Sequence, residues 1–168
     1  PYGPHSEDEI YEWTRQGVEF LFSKGCKLVV LACNTASAGA LKRLQEDLIQ
    51  TKYPDNRVLG ILVPTIEELT GLPWGSPIAV RTFGEDQQVV AVLGTEATIR
   101  SKAYSKEIAK RNPNIVVFEQ ACPKLTSLIV AEGTDSEMKD AIKLYLDELQ
   151  QKMKKAGYNE PPNSVVLG

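Results

Sequence analysis

Two kinds of apolar pattern alternate along the chain, and the alternation predicts a fold class before any single residue is weighed. Between residues 6 and 24, Ile10, Trp13, Gly17, Phe20 and Leu21 recur at spacings of three and four. That is a helical period, and Ser6 followed by Glu9 has the capping-box form that starts a helix. Lys24-Gly25 is the expected stop, a Gly just past a basic last turn. The run from Lys27 to Ala32 is continuously apolar instead, which predicts a buried parallel strand covered on both faces. Helical spacing returns after Asn34-Thr35, with Leu41, Leu44 and Leu48 on one stripe and Lys42, Arg43, Glu46 and Asp47 on the other. Val58 to Val63 repeats the strand pattern and is predicted to end at Pro64, which cannot donate to a ladder. Strand, sharp turn, helix, strand is the grammar of a βαβ unit.

The strongest break follows at residues 71 to 77, Gly-Leu-Pro-Trp-Gly-Ser-Pro, a candidate hinge or inter-domain crossing. Ile78 to Val80 and Val89 to Leu93 read as short strands around the turn Phe83-Gly84-Glu85-Asp86, the form of a hairpin insertion. Gly94 to Thr98 opens a helix expected to run to about Lys110 and to break before Asn112-Pro113. Ile115 to Phe118 reads as a strand and Pro123 to Ala131 as a short helix. Ser136 to Lys155 reads as a long amphipathic helix that buries Met138, Ile142, Tyr145, Leu146 and Leu149. Val165 to Gly168 reads as a final strand. The expected class is α/β with mostly parallel sheets.

Composition narrows the function classes. A chain of 168 residues with 42% hydrophobic and 24% charged residues has the material for a core and is far from a disordered profile. A net charge of −3 without a Lys/Arg stripe argues against nucleic acid and anionic membrane as partners. The longest apolar run, Leu28 to Cys33, falls far short of the roughly 20 residues a bilayer needs. The N-terminus lacks the basic-then-apolar pattern of a signal peptide. Cys26, Cys33 and Cys122 form no C-x-x-C, and with a single His they suggest neither a disulfide framework nor a zinc site. Reduced thiols of a cytoplasmic protein fit best. The absence of a starting Met and the apolar Val165-Val166-Leu167-Gly168 at the other end read as a chain cut at both termini.

In open parallel sheets ligands gather where strands end and helices begin. Ala32-Cys33-Asn34-Thr35-Ala36-Ser37 holds that position after the first strand. A thiol there has the surroundings that favour thiolate, lowering its pKa from about 8.5, and Asn34 and Thr35 are short hydrogen-bonding residues that cap helices. Spacing alone leaves equal room for a small packed Cys beside an ordinary cap. Cys122 and Cys26 are expected to be packing thiols, and His5 a solvated turn residue.

The six-residue string resembles the first catalytic-cysteine motif of the cofactor-independent aspartate/glutamate racemase family, in particular its glutamate-specific branch. Three further segments match in order. Pro1-Tyr2-Gly3 looks like the family's substrate loop, Leu93-Gly94-Thr95-Glu96-Ala97-Thr98 with Ser101-Lys102-Ala103-Tyr104 looks like its Gly-Thr-x-Ala-Thr segment, and Ala121-Cys122-Pro123 looks like its Ala-Cys-Pro segment. The resemblance implies two similar three-layer αβα domains, residues 1–63 and 64–168, with the active site in the cleft between them. It implies interconversion of L- and D-glutamate without metal or organic cofactor, supplying D-glutamate for peptidoglycan, and it is compatible with a homodimer. Cys33 would be one acid/base group, Asn34 and Thr35 would hold the amino and α-carboxylate end, Tyr2 and Gly3 the distal carboxylate, and Thr95 and Thr98 would donate from the second domain.

Departures accompany these matches. The family's second cysteine lies in a Gly-Cys-Thr-His segment, of which this chain holds only Gly168, and its Asp-Ser-Gly segment would lie ahead of Pro1. The 168 residues are therefore expected not to racemise alone. Val130 stands where the family carries an acidic residue, with Glu132 nearby, and residues 34 to 63 and 83 to 88 are longer than the pattern. Aspartate or hydantoin racemisation is the rival within the superfamily. A non-catalytic α/β module that binds an anion is the rival outside it.

Overall fold

The computed structural model describes residues 2–75 and 87–168. The elements follow the alternation in the sequence. Helix α1 (Glu7–Ser23) leads to β1 (Leu28–Leu31), α2 (Asn34–Gly39), and a helical stretch made of α3 (Leu41–Arg43), a π-helical Leu44–Ile49 and α4 (Gln50–Lys52). Then come β2 (Arg57–Gly60), α5 (Leu62–Thr70), β3 (Gln88–Gly94), α6 (Glu96–Ser101), α7 (Ala103–Arg111), β4 (Ile115–Ala121), α8 (Pro123–Val130), α9 (Asp135–Lys155) and β5 (Ser164–Leu167). Among the described residues all strand pairs are parallel: β1 with β2 in one sheet, and β4-β3-β5 in the other. The expected α/β class with parallel sheets is therefore the observed one. The strand Ile78 to Val80, its turn at residues 83–86 and the end of the Gly/Pro-rich break lie outside the described residues.

Both long helices start as their sequences dictate. Ser6 and Glu9 form a reciprocal capping box at α1, and Thr134 and Glu137 form another at α9. Each helix buries a different face from the one its apolar spacing suggests. In α1 the buried row is Ile10, Thr14, Val18 and Phe22 with Tyr11, while Trp13, Phe20 and Leu21 are exposed. Thr14 joins that row because its hydroxyl donates to the Ile10 carbonyl at 2.6 Å, so no polar group is stranded. In α9 the buried row is Ala141, Tyr145, Leu149 and Met153, Met138 is half-buried, and Ile142 and Leu146 face outward.

The second sheet is the middle of three layers. Alternate residues of β3 face opposite ways, as a two-residue period requires. Val89, Ala91 and Leu93 pack with Tyr145, Leu149 and Met153, while Val90 and Val92 pack with Leu62, Ile66, Tyr104 and Ile108. The first sheet departs from the expected double coverage. Val29, Leu31 and Val58 are buried under α1 and residues 40–49, but Leu28, Val30 and Leu59 on the other face are about half exposed because no described element lies over them.

Two boundaries also differ. The strand expected through Val63 stops at Gly60, and Leu62 to Thr70 is helical. Pro64 sits in the first turn of α5, where its missing N–H would have had no helical partner. The single helix expected from residue 95 to 110 is divided at Lys102, which takes a left-handed φ of 57°. Among the described residues no helix is long and apolar enough to cross a membrane.

Candidate active site

The end of β1 turns directly into α2, and Cys33 is the residue at the turn. Its φ and ψ of −84° and 122° are extended, its carbonyl accepts from Ser37 N at 2.9 Å, and its side chain makes no capping hydrogen bond. The thiol is exposed. Ser37 Oγ donates to the Leu31 carbonyl at 2.9 Å, tying the helix back to the strand it follows. The end of β2 approaches this junction closely. A Cβ on Gly60 would lie 2.8 Å from Leu41 Cδ2 and 2.9 Å from Ser37 Oγ, so any larger residue there would push these side chains aside.

The end of β3 makes the corresponding turn into α6, with a different cap. Thr95 is the N-cap, and its hydroxyl accepts from Thr98 N at 3.2 Å. The two junctions meet. Thr35 Oγ1 lies 2.9 Å from Thr95 Oγ1 and 3.0 Å from Thr98 Oγ1, and the latter two are 3.1 Å apart. Three hydroxyls from residues 60 and 63 positions apart thus close a ring in which each can donate once and accept once. Thr35 and Thr98 are buried, so the ring satisfies groups that would otherwise be costly to desolvate.

The N-terminal loop lies against this ring. A turn is closed by His5 N to the Tyr2 carbonyl at 3.1 Å, and Arg100 of α6 donates to the His5 carbonyl at 2.8 Å. Gly3 is buried, and a Cβ there would come within 3.2 Å of Thr95 Cβ. Tyr2 stacks on Trp13 at 5.9 Å between ring centroids. Two cavities flank the loop. One of about 240 Å³ is lined by Gly3, Pro4, Thr95, Glu96, Pro123, Thr126 and Ser127. Another, of about 260 Å³, includes Tyr2, Trp13, Ala32, Cys33 and Ala36 among its lining.

The residues singled out in the sequence therefore fall into one neighbourhood in two groups. Thr35, Thr95 and Thr98 are joined by their hydroxyls with Gly3 beside Thr95, and Cys33 and Tyr2 share the second cavity. Asn34 instead accepts a hydrogen bond at its Oδ1 from the Tyr104 hydroxyl, at 2.7 Å. Tyr104, quoted above only as part of a matching segment, is the residue sequence reasoning left without a role. The available signal was a Tyr on the apolar row of α7, four residues before Ile108, since a buried phenol needs a partner.

The remaining candidates sort by burial. Cys122 is 4% exposed, its N–H donates to the Gly94 carbonyl at 2.8 Å, and burial, with Glu148 adding, pushes its thiol up to about 11. That is a packed, protonated thiol, as expected. Cys26 is exposed and not the packing residue expected, because the strand begins two residues later at Leu28. His5 is half-buried, with its ring edge-on to Trp13 at 4.7 Å and Nδ1 3.6 Å from Glu9. Val130 and Glu132 are both exposed at the far end of α8, Glu132 with a φ of 53°. Among the described residues no group of three or more His, Cys, Asp or Glu is placed to hold a metal ion.

No family model matches the chain. Curated relatives do: glutamate racemase of Phenylobacterium zucineum is 41% identical over 179 residues, and that of Roseobacter denitrificans 40% over 169. In each case the whole chain is covered, and it spans 59% and 58% of the relative's length. Among solved structures, a glutamate racemase isoform from Bacillus anthracis superposes with a TM-score of 0.73 at 27% identity, over 99% of this chain and 53% of that one. The Francisella tularensis glutamate racemase in complex with D-glutamate gives 0.74 at 26% identity, with the same coverage. Along its whole length, the chain is homologous to glutamate racemases in sequence and shares their α/β fold, while spanning little more than half of their length.

Proposed function

We propose that this chain carries part of the active site of a glutamate racemase that interconverts L- and D-glutamate, with Cys33 as one of two thiol acid/base groups. The observation that carries the reading is the meeting of two strand-helix junctions. Cys33-Asn34-Thr35 at the first is hydrogen-bonded through Thr35 to Thr95 and Thr98 at the second, in a chain homologous to glutamate racemases throughout.

The chemistry asks for this kind of assembly. A Cys33 thiolate removes the Cα proton of D-glutamate on one face and becomes a thiol, while a thiol on the opposite face delivers a proton to Cα and becomes a thiolate. Reversing the two steps returns the other enantiomer. With no organic electron sink, the carbanion is stabilised by hydrogen bonds to the α-carboxylate in a site closed to water. Asn34 and the hydroxyls of Thr35, Thr95 and Thr98 are the donors. Their ring satisfies itself in the free site and opens by rotation of a C–O bond when a carboxylate arrives. Tyr2 and Gly3 hold the distal carboxylate. Of the three thiols in the 168 residues only Cys33 is exposed at a strand-helix junction, and Cys122 is buried and protonated. The 168 residues thus supply one base, and on their own they do not racemise. The D-glutamate made by the complete protein serves peptidoglycan synthesis.

The test is incubation of the complete protein with each enantiomer of glutamate and of aspartate in deuterium oxide. Optical rotation should decay for glutamate with Cα deuterium in both enantiomers, and decay for aspartate alone would replace this substrate with the rival one.

A further inference from the structure

The residue next to the proposed base is held by a side chain from the other half of the molecule. Tyr104 lies in α7 and is 1% exposed, its ring packed in the cluster of Leu62, Ile66, Val90 and Ile108. Its hydroxyl is carried out of that cluster to Asn34 at the start of α2, where it donates to Oδ1 at 2.7 Å. Thr65, the other hydroxyl beside it, donates to the Ile61 carbonyl at 3.0 Å, so its own proton is already used. Burial raises the Tyr104 pKa above its ordinary value, which keeps the phenol a donor at any physiological pH.

The consequence lies in the chemistry of an amide side chain. Asn has an acceptor end and a donor end of the same shape, and which end faces a ligand depends on what occupies the other. With Oδ1 engaged by Tyr104, the end of Asn34 left for a ligand is the Nδ2 donor. Tyr104 also reaches the second sheet's outer strand. A Cβ built on Gly168, at the end of β5, would lie 3.7 Å from Tyr104 Cε2 and 3.6 Å from Thr98 Cγ2. One rigid ring therefore abuts both the Cys33 junction, through Asn34, and the end of β5.

We propose that Tyr104 is a positioning residue that commits the Asn34 amide to donate, through Nδ2, to the substrate's α-carboxylate. This rests on the racemase reading of the same site and deepens it. Loss of the phenol leaves the amide free to present either end, at the expense of one hydrogen bond to an anionic group, which corresponds to about a tenfold loss in kcat/KM.

The experiment is a double-mutant cycle on the complete protein, with Tyr104→Phe, Asn34→Ala and both together. It reads racemisation kcat/KM, D-glutamate affinity by titration calorimetry, and the thermal midpoint. Tyr104→Phe should lower kcat/KM and affinity about tenfold in the wild-type background and by less than twofold in the Asn34→Ala background. Ile108→Val, which loosens the same cluster without touching the hydroxyl, should leave affinity unchanged, so a general packing effect would show itself. An equal loss in both backgrounds, or no loss in the first, overturns the proposal. A wild-type protein that binds D-glutamate without racemising it overturns the racemase reading while the cycle still tests Tyr104 through affinity. A wild type that neither binds nor racemises glutamate removes both.

Discussion

The junctions after β1 and after β3 share a plan and part ways at the N-cap. Both turn from a parallel strand into a short helix, and both present threonine to the same hydroxyl ring. After β3 the cap is complete: Thr95 accepts from Thr98 N and closes the first turn of α6. After β1 the N-cap is Cys33, whose thiol makes no capping bond and stays exposed. A Ser, Thr, Asp or Asn at an N-cap is worth about 1 kcal/mol over a residue that cannot cap. The first junction forgoes that stabilisation, and in exchange an exposed thiol lines a cavity. Local stability is given up where chemistry is proposed and kept where the partner junction supports it.

Substitutions at the ring and at the caps can break this comparison. The largest effect is expected for Thr98→Val, which keeps the shape of a side chain that is 1% exposed and removes its bonds to Thr35 and Thr95. Unfolding of the complete protein in denaturant should show a loss of about 1–3 kcal/mol, the cost of stranding buried polar groups. A change under 0.3 kcal/mol would mean that the ring does not join the junctions. Cys33→Ser should act in the opposite direction, raising stability by about 0.5–1 kcal/mol through a new cap while activity is lost. If it destabilises instead, the missing cap at Cys33 was never a deficit.

The smallest effects concern the thiols themselves. At pH 8, alkylation followed by peptide mapping should find Cys26 and Cys33 labelled and Cys122 protected until the protein is unfolded. Cys122 also gives a stability term with a definite sign. Its thiol ionises near 9 when unfolded and at about 11 when folded. The native state therefore holds the proton to higher pH, and the contribution is intact below 9 and is lost as pH rises through 11. Cys122→Ala should flatten that part of the stability curve, and an unchanged slope between pH 9 and 11 would assign it to other groups.

Much of the fold was legible because local signals agreed with one another. Ser6 and Glu9 announced α1, whereas Val89 to Leu93, read as one arm of a hairpin insertion, belongs to the buried middle strand of the parallel sheet β4-β3-β5. The misread helix faces share one cause. Counting only apolar residues favoured Trp13 and Phe20 over Thr14, and Ile142 and Leu146 over Ala141, yet small or self-bonded side chains sit closest to a neighbouring sheet. Pro64 was misread because proline stops a strand but is harmless in a helix's first turn. Lys102 gave no local sign of its left-handed φ.

At the site, sequence spacing alone left Cys33 undecided between a packing thiol and a reactive one, and the resemblance to known racemases carried the assignment further. The hydroxyl ring was beyond reach of any local pattern, because Thr35 is 60 and 63 residues from Thr95 and Thr98 and meets them only when the two junctions pack together. Tyr104 stayed unassigned for the same reason, since its partner Asn34 is 70 residues away.

The central claim, that Cys33 moves the Cα proton, is tested most directly by Cys33→Ala in the complete protein incubated with D-glutamate in deuterium oxide. The account predicts that racemisation falls by roughly 10²–10⁴-fold or more, and that recovered D-glutamate keeps its Cα hydrogen. Deuterium entering Cα, with L-glutamate formed at a rate within tenfold of the unmodified protein, would contradict it.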